Sequence, residues 1–144
     1  MKVIIVSGYF NPIHIGHINN FRAAKKLGDK LWVIVNNDRQ QKLKKGKIIM
    51  KQKERVEIVK AIKYVDNVIL AIDPDKGVSK TLSIIARKNK KNKVFFAKGG
   101  DRTIKNIPQS EIDVCKKYNI KIISGVGGKK VNSSSKINKL RGKE

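Results

Sequence analysis

The chain has one cysteine, Cys115, and two histidines in 144 residues. A lone cysteine excludes an internal disulfide framework and fits a reducing compartment. No apolar run approaches the ~20 residues of a membrane helix. The N-terminus opens directly on strand-like sequence, with no signal-peptide pattern. A cytoplasmic chain without membrane insertion is expected. Aromatic residues make up only 6%, few for a protein that grips nucleic acid by stacking bases. Acidic residues are scarce too, 11 against 34 Lys and Arg, for a net charge of +23. That field attracts polyanions of any kind. Yet 28 of the 34 are lysine, which weighs against bidentate base readout. With 21 Ile and 12 Asn, the lysines also match the usage of an A/T-rich genome. A basic nucleic-acid-binding module is therefore the alternative from another class, and no specific nucleic-acid partner is expected.

What is present is one domain's worth of chain, 1–144, large enough for one sizeable core. Short β-branched apolar runs recur at Val3 to Val6, Leu31 to Val35, Val68 to Ile72, Val94 to Ala97 and Ile120 to Ile123. Nearly continuous runs of this kind suit strands buried on both faces. Helical patterns separate them. The first spans His17 to Leu27, with Phe21, Ala24 and Leu27 inward and Gly28 as its stop. The second spans about Gln52 to Val65, with Val56, Val59 and Ile62 inward. The third opens at Ser79 as N-cap and carries Leu82, Ile85 and Ala86. The fourth follows Pro108, with Ile112 and Cys115 inside. A last short helix is expected near Ser133, and 141–144 as a frayed tail. Alternating strands and helices give a parallel sheet, an α/β fold. Asn36 to Met50 reads as one long polar connection, of the length a lid or binding loop has.

In an open parallel sheet, ligands bind beyond the carboxyl ends of the strands. After the first strand comes Gly8-Tyr9-Phe10-Asn11-Pro12-Ile13-His14-Ile15-Gly16-His17, in which the two histidines flank Gly16. Gly16 allows close backbone approach. His17 stands at a helix N-terminus, where free N–H groups and the dipole favour an anion. Two imidazoles there can donate to a phosphate whose charge grows in a transition state. No Cys, Asp or Glu lies near enough in sequence to complete a zinc set, so no metal ligands are assigned.

The His14-Ile15-Gly16-His17 segment resembles the HxGH signature of the cytidylyltransferase-like nucleotidyltransferases. Gly28 to Asp38, Glu54-Arg55, Lys98-Gly99-Gly100-Asp101-Arg102 and Ser133-Ser134-Ser135 resemble later segments of that family in the same order. The resemblance implies a Rossmann-like, five-stranded parallel sheet in the order 3-2-1-4-5 with helices on both faces. It implies transfer of a nucleoside monophosphate from a triphosphate to a phosphate monoester, with release of pyrophosphate. His14, His17 and Lys44 would be catalytic. Gly8, Tyr9, Phe10, Gly16, His17, Lys44, Lys47, Gly99, Asp101, Arg102, Ser133, Ser134 and Ser135 would bind the nucleotide. Asn11, Asp38 and Arg55 would bind the acceptor. Mg2+ would accompany the triphosphate, and a homodimer is implied. Asn11 stands where the cytidylyltransferases usually carry Asp. Lys98 to Asp101 looks most like the adenylyltransferase domain of heptose-phosphate enzymes, which favours ATP over CTP and a sugar phosphate as acceptor. Glycerol-3-phosphate cytidylyl transfer, and adenylyl transfer to nicotinate mononucleotide or FMN, are the alternatives.

Overall fold

The computed structural model describes residues 1–45, 47–99 and 106–127. Five strands and five helices alternate, apart from two successive helices in the middle. They are β1 (Lys2–Gly8), α1 (Ile15–Lys25), β2 (Lys30–Val35), α2 (Asp38–Lys45), α3 (Gln52–Lys60), β3 (Asn67–Leu70), α4 (Ser79–Lys88), β4 (Lys93–Gly99), α5 (Gln109–Lys117) and β5 (Lys121–Val126). All four strand pairings are parallel, and the sheet order is β3-β2-β1-β4-β5. This is the α/β, Rossmann-like arrangement expected from the apolar runs and the family resemblance.

The pleat divides each central strand between two cores. Val3 and Ile5 of β1, Ile34 of β2 and Phe96 of β4 face Val78, Leu82, Ile85, Ala86 and Cys115 on one side. Ile4 and Val6, with Leu31, Val33, Val35 and Ala97, face Phe21, Ala24 and Val59 on the other. Strands covered on both faces need apolar residues at every position, which is why these runs do not alternate. Each fully buried Phe or Ile contributes about 1.5–3 kcal/mol.

Several boundaries differ from the pattern-based reading. The Asn36 to Met50 connection is not a plain loop: α2 occupies its centre. Helix α1 begins at Ile15, two residues early, because His14 caps it. It ends at Lys25, so Leu27 falls beyond the helix and is exposed. The chain then turns at Gly28, where a Cβ would stand 2.8 Å from Ile4 Cγ1 and 2.9 Å from the Lys2 carbonyl oxygen. Helix α3 stops at Lys60 rather than Val65. Strand β3 stops at Leu70, leaving Ile72 exposed. Ser79 is the first helical residue of α4, not its cap; the Asp73 carboxylate takes the Lys80 and Thr81 N–H groups. On α5, Cys115 is core as expected, whereas Glu111 is buried and Ile112 only half so. The helix expected near Ser133 and the tail at 141–144 lie outside the described residues.

Candidate functional site

The sheet reverses its winding between β1 and β4, the neighbours from which β2 and β5 lead off in opposite directions. The crevice at such a switch point is where open parallel sheets take ligands. The segment after β1 and the end of β4 both reach it.

Gly8 ends β1, and Phe10 folds back over it: a Cβ on Gly8 would meet the Phe10 ring at 2.7–2.8 Å. This fold-back places Phe10 at a positive φ of 51°, a strained setting for a bulky residue that surrounding packing must hold. The packing is evident. Phe10 is buried, with its ring edge-on to His17 (centroids 4.9 Å apart, 83°) and to Phe21 (5.5 Å, 65°). Phe10 was expected to contact nucleotide; it is instead a wedge between the core and the His17 ring.

The two histidines lock one another. His14 is the N-cap of α1, and its Nδ1 accepts the Gly16 N–H at 3.0 Å. The His14 N–H donates to His17 Nδ1 at 3.1 Å. The rings lie with centroids 3.9 Å apart and a tilt of 31°. A nitrogen that accepts an N–H cannot carry a proton, so each neutral ring is protonated at Nε2. Both imidazoles are thus fixed as Nε2–H donors beside a helix N-terminus.

Tyr9 and α2 form one wall. The Tyr9 hydroxyl donates to the Lys76 carbonyl at 2.9 Å, and Lys44 Nζ stands 4.3 Å from the Tyr9 ring centroid. Lys44 is exposed, as is Lys47. Gln40 braces this wall from beneath. It is fully buried, its Oε1 accepting from Asn36 Nδ2 and the Asn37 N–H, its Nε2 donating to the Asp75 and Gly77 carbonyls. Every polar atom of that carboxamide is satisfied, so it joins β2 to the β3–α4 loop without a buried polar penalty.

Asn11 and Arg55 occupy places unlike those expected of acceptor-binding groups. Asn11 is buried; its Oδ1 accepts the Ile49 and Met50 N–H groups and its Nδ2 donates to the Lys47 carbonyl. Only an amide makes all three bonds, which accounts for Asn rather than Asp here. Arg55 is completely buried. Its Nε donates to the Met50 carbonyl, its Nη1 to the Tyr9 and Asn36 carbonyls, and its Nη2 to Asp38 Oδ1 at 2.7 Å. Four donations to protein oxygens turn this guanidinium into a brace joining the β1 loop, the β2 end and the start of α3. Asp38, the third residue expected on the acceptor side, is its counter-ion.

At the end of β4, Lys98 is buried over the Phe96 ring and 3.2 Å from Glu111 Oε1. The other Glu111 oxygen accepts the Val78 N–H. Gly99 was expected to make room for nucleotide. The space its side chain would fill is taken by Asn20 of α1. Gly16 contributes its N–H to the His14 cap. Gly100, Asp101, Arg102, Lys129, Lys130 and Ser133 to Ser135 lie outside the described residues. The structure brings the histidine pair, Tyr9 and Lys44 to the loops beyond β1 and β2, and it adds Gln40, Glu111 and Asn20, which sequence pattern did not single out. For Glu111 the available signal was a polar residue inside an otherwise amphipathic helix; for Gln40, in the mostly polar α2, there was none.

A profile of the cytidylyltransferase-like family matches residues 5–137. The FAD synthase of Pyrococcus horikoshii is 44% identical over 68 residues, 46% of each chain. That of Archaeoglobus fulgidus is 44% identical over 71 residues, 49% of this chain and 51% of the relative. The bifunctional protein HldE of Campylobacter fetus is 33% identical over 144 residues, 97% of this chain but 28% of that one. The chain thus spans about half, or less, of the length of the curated relatives it matches. Among solved structures, the lipopolysaccharide core biosynthesis protein of Thermoplasma volcanium superposes with a TM-score of 0.63 at 24% identity, covering 92% of this chain and 98% of that one. The likeness is one of fold.

Proposed function

The chain belongs to the cytidylyltransferase-like family, and from that premise we propose that it transfers a nucleoside monophosphate from a triphosphate to a phosphate monoester. An acceptor phosphate oxygen attacks the α-phosphorus, the bond to the β-bridging oxygen breaks, and pyrophosphate leaves. The attacking oxygen is anionic at neutral pH, so no strong general base is needed. Catalysis is then positioning and charge stabilisation. The observation that carries this reading is the reciprocal lock of His14 and His17. It presents two preorganised N–H donors where the α-phosphate would gain charge. Lys44 supplies a mobile positive charge to the phosphates from α2. Lys47, Asp101, Arg102 and Ser133 to Ser135 belong to the nucleotide side of the same reading.

The substrate is taken as the magnesium–triphosphate complex, whose cation would offset charge on the departing pyrophosphate. Among the described residues there is no cluster of three or more His, Cys, Asp or Glu to hold a metal, and no step is assigned to a protein-bound ion. No helix among the described residues is long and apolar enough to cross a membrane, and a cytoplasmic homodimer completes the reading.

ATP is the favoured donor and a sugar phosphate the favoured acceptor, supported by the Lys98 to Asp101 segment and by the match of 97% of this chain to part of HldE. FMN is the second acceptor to weigh, because the FAD synthases reach 44% identity. The test is pyrophosphate release across four nucleoside triphosphates and a panel of sugar, polyol and flavin phosphates. Turnover with ATP and a sugar phosphate is expected. Turnover confined to FMN moves the assignment to the second reading, and silence across the grid overturns both.

A further inference from the structure

Asn20 follows His17 by three residues on α1, so the two side chains share one helix face. Its carboxamide is wedged against two glycines from other elements. A Cβ on Gly99, the last residue of β4, would collide with Asn20 Nδ2 and Cγ. A Cβ on Gly127, just past β5, would collide with Asn20 Oδ1. Gly127 also has a φ of +84°, which favours glycine independently. One side chain thus fills the space beside two glycines at the carboxyl ends of two strands.

Packing against backbone at such a place needs only bulk, which Leu would supply in a helix with better propensity. Asn20 instead brings two N–H donors and an acceptor oxygen. It is half-buried, and its carboxamide makes no hydrogen bond to another described residue. The neighbouring groups of the same helix face are the imidazoles assigned to the α-phosphate. Three residues, an axial rise of ~4.5 Å, separate His17 from Asn20. That step matches the step from an α-phosphate to the sugar it esterifies.

We propose that Asn20, seated between Gly99 and Gly127 three residues beyond His17 on the same helix face, hydrogen-bonds the ribose hydroxyls of the bound nucleotide and makes the site selective for ribonucleotides. This rests on the nucleotidyl-transfer reading above. A vicinal diol offers two donors and two acceptors, which complements a carboxamide. The side chain acts as a binding group for sugar identity, with the chemistry left to the histidines.

The experiment compares ATP, 2′-deoxy-ATP and 3′-deoxy-ATP, by calorimetric binding and by pyrophosphate release, in the unaltered protein, Asn20→Ala and Asn20→Leu. The unaltered protein should favour ATP over at least one deoxy analogue by about tenfold, the scale of one hydrogen bond. Both variants should lose that preference, chiefly through weaker ATP binding and a raised KM, with kcat changed by less than about twofold. Asn20→Leu keeps the bulk, so it carries the test should the alanine variant fold poorly. The proposal is overturned if the unaltered protein does not discriminate, or if the variants lose all three nucleotides in equal proportion. Because binding is measured directly, a protein that binds ATP yet releases no pyrophosphate defeats the transfer reaction and leaves the ribose contact to be judged by its own numbers.

Discussion

The backbone N–H of His14 donates to Nδ1 of His17, so the second imidazole is oriented by the residue that carries the first. His14 in turn is held through its own Nδ1 by Gly16. This commits one nitrogen of each ring, Nδ1, to the cap, and the proposed reaction assigns Nε2 to the phosphate. Asn in place of His17 puts an amide oxygen where Nδ1 was and nothing where Nε2 was. His17→Asn should therefore keep its urea midpoint close to that of the unaltered protein while kcat falls by about 100- to 1,000-fold. His17→Ala should lose the same activity and, in addition, ~1 kcal/mol of stability from the broken cap.

Arg55 ties three loops together from a fully buried position. Removing it leaves the Tyr9, Asn36 and Met50 carbonyls and the Asp38 carboxylate short of donors. Arg55→Ala should cost about 3–5 kcal/mol in urea unfolding, as breaking a buried pair does. Arg55→Lys should recover only part of it, because an ammonium cannot span the fork. A surface group gripping substrate phosphate would instead give a raised KM with unchanged unfolding.

Asn11 distinguishes this site from one built on Asp. In Asn11→Asp the carboxylate still accepts the Ile49 and Met50 N–H groups but faces the Lys47 carbonyl with no proton to give. A loss of about 1–3 kcal/mol is expected. Hydrogen exchange should show it locally, as faster exchange of amides in the segment before α3.

The sheet was legible because buried parallel strands leave an unmistakable composition: Val3 to Val6 and Leu31 to Val35 have no polar interruptions. The histidine pair stood out because it flanks Gly16 in the loop after β1 and the chain has no other histidine. Arg55 was not. Its Glu54-Arg55 motif is real, but a motif does not say whether a guanidinium faces solvent or three carbonyls. Helix α2 was hidden for another reason: Asp38 to Lys45 has one large apolar residue, Leu43, and it is exposed. That helix is held by Gln40 and by the Gln52 side chain, which accepts the Asp38 N–H. Hydrophobic periodicity cannot report a helix anchored by polar contacts.

Cys115 offers a check on the opposite face of the sheet. Burial, then the nearby Glu111 charge, pushes its thiol up to about 11, with Lys98 opposing. An unfolded cysteine ionises near ~8.5. Between these values the folded thiol stays protonated while the unfolded one loses its proton, so stability falls as pH rises through that window. A disulfide reagent at mildly alkaline pH should label Cys115 only as fast as the protein opens. Immediate labelling of the native protein would show the α5 face to be open.

The most direct test of the phosphate contact proposed for the histidine pair is nitrogen-15 NMR of the two imidazoles, with and without a non-hydrolysable ATP analogue. Above the rings' protonation range, Nδ1 should be bare and Nε2 protonated in both. The analogue should shift both Nε2 resonances and leave the Nδ1 resonances nearly in place. A proton on Nδ1 of either ring, or two imidazoles indifferent to the analogue, would contradict the account.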